Sequence, residues 1–430
     1  VRRVLEDPEL VDELTHGFGG PVHLLYPERF DDNVEAFRCA LRDAGVAGRI
    51  FYAKKANKAA CWIDRCAEWG LGVDVASVPE LRDALAHGVR GSELVVTGPA
   101  KSSGLLELAA RHGSLIAVDA LDELARLLEL GRRLPGTRVL LRCLPPGEPE
   151  SRFGLDDTEL GLALRRCADA GAAVRMEGFS FHLSGYDPAP RAELVATLID
   201  RCVRARRLGL PAEVVDIGGG FAVDYVAAED WQRFHDGDRP ERYHRGRRFD
   251  GFYPYHSPLA GADMLRAVLD TVPRGHDRSV AGLLRAAGVT LGLEPGRALL
   301  DQAGCTVFTV QGVKAREYGL LTVDGTSLSL SEQWFASEFL PDPVLMPPGD
   351  GEPFAACVGG ASCLESDLLT WRKVVFGRRP RAGDHLLYLN TAGYQMDSNE
   401  SPFHDLPLPP KIVLSSHGER LRWRLDRTTR

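Results

Sequence analysis

Arg49-Ile50-Phe51-Tyr52-Ala53-Lys54-Lys55-Ala56-Asn57 is an apolar strand that stops on two lysines and then turns small and polar. A lysine becomes a useful imine former when its ammonium is partly desolvated and its pKa falls, and the mouth of a barrel strand supplies that setting. The same pattern also arises where solvated gatekeeper lysines close a strand. The rest of the chain bears on which reading holds. Short apolar runs recur at 49–53, 72–76, 94–97, 115–118, 138–143, 177–182, 213–217 and 289–293, each followed by helical periodicity. Pro79-Glu80-Leu81-Arg82-Asp83-Ala84-Leu85 carries proline in its first turn, and 119–130 opens with an aspartate. Eight alternating βα units ending near residue 297 predict an α/β fold, a TIM-type (β/α)8 barrel with function at the C-terminal ends of its strands.

After Arg297 the pattern changes to strands and turns at 305–311, 320–323, 354–358, 385–389, 412–415 and 421–425, which reads as a C-terminal β domain. Pro21-Val22-His23-Leu24-Leu25-Tyr26 reads as a strand that joins it. The expected division is therefore 1–26 with the β domain, 27–297 as the barrel, and 298–430 as the β domain proper. An unusually long loop, 226–262, holds Trp231, His235, Tyr243, His244, Phe252, Tyr253, Tyr255 and His256. Loops of this length act as lids or interface elements, or are mobile insertions.

Composition narrows the function classes. The chain has 430 residues, net charge -8 and 44% hydrophobic residues, and no apolar run approaches the roughly 18 residues needed to span a bilayer. No membrane association is expected. Val1-Arg2-Arg3-Val4-Leu5-Glu6-Asp7 turns acidic without a secretory pattern, so the cytoplasm is the expected compartment. Nine cysteines lie scattered without CxxC pairs or zinc-type His/Cys spacing, so neither a disulfide framework nor a metal site is expected. The acidity argues against nucleic acid, and Arg420-Leu421-Arg422-Trp423-Arg424 alternates like a strand with one solvated face.

Asp216-Ile217-Gly218-Gly219-Gly220 closes the seventh strand, and three glycines let backbone N–H groups approach an anion, although a glycine run also makes a flexible turn. The eighth strand ends Leu293-Glu294-Pro295-Gly296-Arg297, adding an acid and a phosphate-shaped guanidinium. Barrels commonly bind phosphate at these two loops. A lysine after strand one and a phosphate cup after strands seven and eight point to pyridoxal 5'-phosphate. Glu294 beside the pyridine nitrogen would keep it protonated, each pKa unit of preference being worth about 1.4 kcal/mol, and a protonated ring is a sink for an α-carbanion. His182, ending Gly178-Phe179-Ser180-Phe181-His182, stacks on the ring or is a hydrogen-bonded core histidine.

These motifs resemble the alanine-racemase-fold (fold type III) pyridoxal-phosphate decarboxylases, the group of diaminopimelate, ornithine and arginine decarboxylases, and the resemblance runs from Gly20-Pro21 into the β domain. It implies Lys55, not Lys54, as the Schiff-base lysine, and His182 as the stacking residue. Gly218, Gly219, Gly220, Gly296, Arg297 and Ser184 fall at the phosphate, Glu294 at the ring nitrogen, and Tyr394 of Thr391-Ala392-Gly393-Tyr394 near the cofactor. Asp74-Val75-Ala76-Ser77, Glu80, Arg142 and Arg152-Phe153-Gly154 resemble further landmarks, with Asp74 beside the cofactor. Gly360-Ala361-Ser362-Cys363-Leu364-Glu365-Ser366-Asp367 is similar to the loop whose cysteine reaches across a homodimer interface to protonate the product. Arg142, Cys363, Glu365 and Asp367 are the implied substrate contacts.

The chain departs from the pattern in three places. Leu364 follows Cys363 where diaminopimelate enzymes carry an acid, and Glu365 comes one place later. Asp324-Gly325-Thr326-Ser327 continues Leu328-Ser329-Leu330-Ser331-Glu332-Gln333-Trp334 without the family's Arg-Pro-x-x-Tyr. Leu183-Ser184-Gly185 shifts the phosphate serine by one. The implied activity is decarboxylation of a diamino acid or related specialised substrate to an amine and CO2; the alternatives are a racemase of the same fold and a catalytically silent regulatory homologue.

Overall fold

The computed structural model describes residues 2–330, 332, 336–418 and 420–426. Ser331, Gln333 and Trp334 of the segment that replaces the Arg-Pro-x-x-Tyr pattern lie outside the described residues. Strand β1 (Val22–Leu25) precedes a closed parallel barrel of β2 (Gly48–Ala53), β3 (Gly72–Val75), β4 (Leu94–Val96), β5 (Leu115–Val118), β6 (Thr137–Arg142), β7 (Val174–Ser180), β8 (Val214–Asp216) and β9 (Thr290–Leu293). β9 returns to β2 with Gly48 opposite Leu291, which closes the ring. Strands β3, β4, β5 and β8 are buried along their whole length because helices cover one face and barrel side chains the other. Phe51, Val95, Leu115, Leu140 and Val214, one from each of five strands, form an inner cluster.

The helices start where their sequences say. Ser77 caps the helix Val78–Ala86 with Pro79 in its first turn, and Asp156 with Glu159 makes a capping box on Asp157–Asp169. One expected start is displaced. The helix expected from Asp119 begins at Leu121, and Asp119 turns into the barrel mouth, accepting from Arg142 at 3.2 Å and the Gly154 N–H at 3.1 Å.

The second sheet contains β10 (Gly304–Ala315), β11 (Gly319–Val323), β12 (Val344–Met346), β13 (Phe354–Gly359), β14 (Leu368–Phe376), β15 (His385–Leu389), β16 (Lys411–His417) and β17 (Arg420–Leu425). Its order is β14-β13-β11-β10-β1-β16-β17, with β15 pairing β10 and β12. β1 lies between β10, antiparallel, and β16, parallel. β12 and β14 were not foreseen: β12 is three residues between prolines, and β14 carries Arg372 and Lys373 in its middle. Arg372 is held by the buried Glu338 at 2.5 Å, so its charge sits against the sheet rather than in water.

Residues 226–262 are packed against this sheet. They contain the helix Ala228–Gly237 and two short turns, and Phe234, Tyr253 and Tyr255 share a core with Phe308, Leu321, Val358 and Tyr388. His244 meets the Tyr318 hydroxyl at 2.8 Å, and Lys373 donates to the Glu241 carbonyl at 2.8 Å. No helix of the described residues is long and apolar enough to cross a membrane.

Candidate active site

At the C-terminal ends of the barrel strands lies a cavity of about 710 Å3, lined by Lys55, His182, Ser184, Gly219, Gly220, Glu294, Gly296, Arg297 and Tyr394 among others. The two lysines ending β2 diverge. Lys54 is buried and pairs with Asp83 at 2.8 Å, whereas Lys55 faces the cavity and donates to Asp74 at 2.9 Å. Asp74 is buried at the end of β3, and its other oxygen accepts from the Thr97 hydroxyl at 2.5 Å. The Lys55 pKa does not fall as desolvation alone would require: burial opposes its charge, but Asp74, then Tyr394 and Glu294, raise the ammonium above its usual range.

Three carboxyl groups share the barrel mouth. Asp216, at the end of β8, is fully buried; one oxygen accepts the Gly218 N–H at 2.8 Å and the other has no partner among the described residues. Burial, then the neighbouring Asp74, pushes its pKa up to about 7. Burial raises Glu294 well above the carboxylate range, and Asp74 and Asp216 add to the shift against the lowering pull of Lys55 and Arg142. His182 is held down to about 4 by burial, then by Lys55 and Arg142, so its ring is neutral at neutral pH.

The glycine cup is built for a bare backbone. Gly218 and Gly220 have φ of +66° and +77°, and a methyl group on Gly219 would meet the Glu294 carbonyl at 2.7 Å. Arg297 is buried, donates to Tyr225 at 3.1 Å and Glu332 at 3.3 Å, and lies over the Tyr253 ring at 4.3 Å. Tyr394 holds φ +73°, a left-handed conformation unusual for a bulky residue, and a methyl group on Gly296 would lie 3.0 Å from its hydroxyl. It reaches the site on a clamp between domains. The Tyr394 N–H donates to the Ala56 carbonyl at 2.7 Å, Asn57 donates to the Ala392 carbonyl at 2.8 Å, and Asp397 takes the Lys58 N–H and the Lys411 ammonium.

Arg142, Cys363, Glu365 and Asp367 do not line this cavity. Arg142 sits on the barrel wall, paired with Asp119 and stacked on Phe153 at 4.4 Å. Cys363 is the one exposed cysteine of the nine, on a β-domain loop, and does not line the cavity of its own chain. Glu365 is exposed and bonded to Arg245 at 3.1 Å. Asp367 is buried, with its oxygens accepting the Ser327 N–H at 2.7 Å and the Ser362 N–H at 3.1 Å, so it staples the loop. Sequence reasoning gave no role to Asp216, Arg191, Tyr225 or Glu332. Asp216 adjoins the glycine motif and was legible; the others come from segments without a motif.

An amine, a neutral imidazole, a glycine cup, an arginine and the buried acid Glu294 on one cavity suit pyridoxal 5'-phosphate, whose phosphate needs the cup and whose ring nitrogen needs the acid. The sequence matches the family model described as pyridoxal-dependent decarboxylase, pyridoxal binding domain, over residues 29–247. The chain belongs to the pyridoxal-dependent decarboxylase family, which brings the cofactor and the reaction class, amino-acid decarboxylation. It is 39% identical to an uncharacterized protein, y4yA, of Sinorhizobium fredii, over 93% of this chain and 89% of that one. It is 26% identical to a diaminopimelate decarboxylase of Deinococcus radiodurans, over 94% and 92%. Among solved structures, a diaminopimelate decarboxylase from M. jannaschii superposes with a TM-score of 0.76 at 22% identity, covering 97% of this chain and 91% of that one. A lysine/ornithine decarboxylase from Vibrio vulnificus complexed with cadaverine gives 0.74 at 19% identity, covering 95% and 97%.

Proposed function

We propose that the substrate is a diamino acid or a related specialised amino acid, and that Lys55 is the amine that holds the cofactor. The convergence of Lys55, His182, Glu294 and the Gly219-Gly220 backbone on one cavity carries this reading. When bound, the cofactor supplies an electron sink for the pair left on the α-carbon as CO2 departs. Asp74 fixes the direction of the Lys55 Nζ and keeps a proton on it for delivery to a carbon in the cavity. Glu294 holds the proton of the ring nitrogen, and His182, neutral, offers the ring a flat face. Gly218, Gly219, Gly220, Gly296, Arg297 and Ser184 hold the phosphate, with Tyr394 closing that side.

Cys363 is exposed on its own chain and away from its own cavity, which supports a homodimer in which the cysteine of one subunit completes the site of the other. Leu364 beside it and the engagement of Glu365 with Arg245 support a substrate whose distal end differs from that of diaminopimelate. The test is CO2 release by protein loaded with pyridoxal phosphate across L- and D-amino acids, including diaminopimelate, ornithine, lysine and arginine, with amine products identified by mass spectrometry. Release from a diamino acid or a close relative supports the reading. Conversion to the opposite enantiomer without amine formation would replace it with racemisation.

A further inference from the structure

Arg191 stands on the first turn of the helix Pro188–Arg207 and is 1% exposed. Among the described residues its guanidinium donates only to backbone carbonyls: Nη1 to Asp187 at 3.2 Å, Nη2 to Leu183 at 3.1 Å and to Gly185 at 2.9 Å. Its Nε is buried and meets no acceptor among the described residues. The acids nearest to it are engaged elsewhere. Asp187 caps the helix through the Ala189 N–H at 2.9 Å, and Glu148 accepts the Ser184 N–H at 3.0 Å. Burial holds the guanidinium below its ordinary pKa. A buried cation with no counter-anion is costly unless a charge arrives to complete it.

The place for that charge is adjacent. A methyl group on Gly220 would lie 2.3 Å from the Arg191 Nη2, so the guanidinium backs directly onto the third glycine of the cup. Leu183 and Gly185, whose carbonyls it grips, line the cavity with Ser184 and Gly220. Arg297, the arginine legible in the sequence, is already paired with Glu332 and therefore brings little net positive charge to a dianion.

We propose that Arg191 is the second arginine of the phosphate site, holding residues 183–185 in place behind Gly220 and balancing the phosphate's charge; this rests on the pyridoxal-phosphate reading above. It explains the shifted serine, because the loop's conformation is fixed from behind by two carbonyl contacts rather than by its own sequence.

The test compares dissociation constants of pyridoxal 5'-phosphate and pyridoxal, which lacks the phosphate, by equilibrium dialysis on the full chain and on Arg191→Lys and Arg191→Gln. Glutamine removes the charge, and lysine keeps it. The expected result is about tenfold weaker binding of the phosphate form by R191Q, with the pyridoxal constant changed less than about twofold and R191K intermediate. Equal weakening of both ligands, or no weakening of either, overturns the assignment. Should R191Q fail to fold, R191K decides alone: the lost fork should weaken the phosphate form by about threefold or more and leave pyridoxal unchanged, and an unchanged ratio overturns the proposal. Parent protein that binds neither ligand would remove the cofactor reading instead.

Discussion

Replacing Asp397 by asparagine should destabilise the protein at the joint between barrel and β domain. Asp397 is buried and accepts from the Lys411 ammonium and the Lys58 N–H, three residues after the candidate lysine Lys55. Burial pushes its carboxyl up, but Lys411 and the Lys58 N–H outweigh burial and hold it down to about 2. Against 3.8 in the unfolded chain, that difference is worth about 2 kcal/mol of stability. Because the folded value is the lower one, this contribution is complete above about pH 4 and is lost as the pH falls towards 2. Asparagine removes more than this at neutral pH. Lys411 is left as a largely buried ammonium that has lost the carboxylate it was bonded to. Breaking a buried pair from one side costs roughly 3–5 kcal/mol. Urea denaturation at pH 7 of the parent, Asp397→Asn and the double variant with Lys411→Met should show that loss in the single variant and recovery of most of it in the double. A single-variant loss under about 1 kcal/mol would refute the argument that this pair anchors the joint.

Three further outcomes are expected. Lys55→Ala should lose the visible absorbance that bound pyridoxal phosphate gives the parent, whereas Lys54→Ala should keep it and lose roughly 3 kcal/mol of stability as its half-buried partner Asp83 is left without the lysine, both read by absorbance and urea titration. Glu294→Gln should lower kcat about tenfold or more, each lost unit of ring protonation costing about 1.4 kcal/mol, yet raise the thermal midpoint. That gain should be absent near pH 4 and grow as the pH rises, because the carboxyl it removes has a raised folded-state pKa. Mixing inactive Lys55→Ala and Cys363→Ala proteins under subunit exchange should restore about a quarter of parental activity, since half the dimers would be mixed and each would hold one intact site; no recovery would count against a shared site.

The barrel was legible because its strands are buried on both faces over most of their length and therefore appear as apolar runs, and because its polar residues cluster where strands end. Lys55, Glu294, Arg297 and the three glycines stand on those ends, so reading the strands gave their neighbourhood. Asp119 was placed at the start of a helix because an aspartate there looks the same whether it belongs to the helix end or turns inward to an arginine. Strand β14 was missed because Arg372 reads as solvated until its partner Glu338, from a segment without a motif, is known. Arg191 was invisible for the same reason: its surroundings are carbonyl groups, and carbonyl positions follow from tertiary packing rather than residue type. The low lysine pKa was inferred from burial alone, and Asp74 comes from a different strand.

The position of β1 between β10 and β16 bears on how the protein is made. This strand leaves the ribosome early, but the strands on both sides of it are synthesised only after the entire barrel. Throughout that interval its apolar residues and unpaired N–H and C=O groups wait beside a folding domain to which they do not belong. The second sheet therefore closes as a late event that ties β1 to β10 and β16, and the same closure brings Tyr394 and Asp397 to the lysine loop. Assembly of the site is in this way reserved for a chain translated at least through β16.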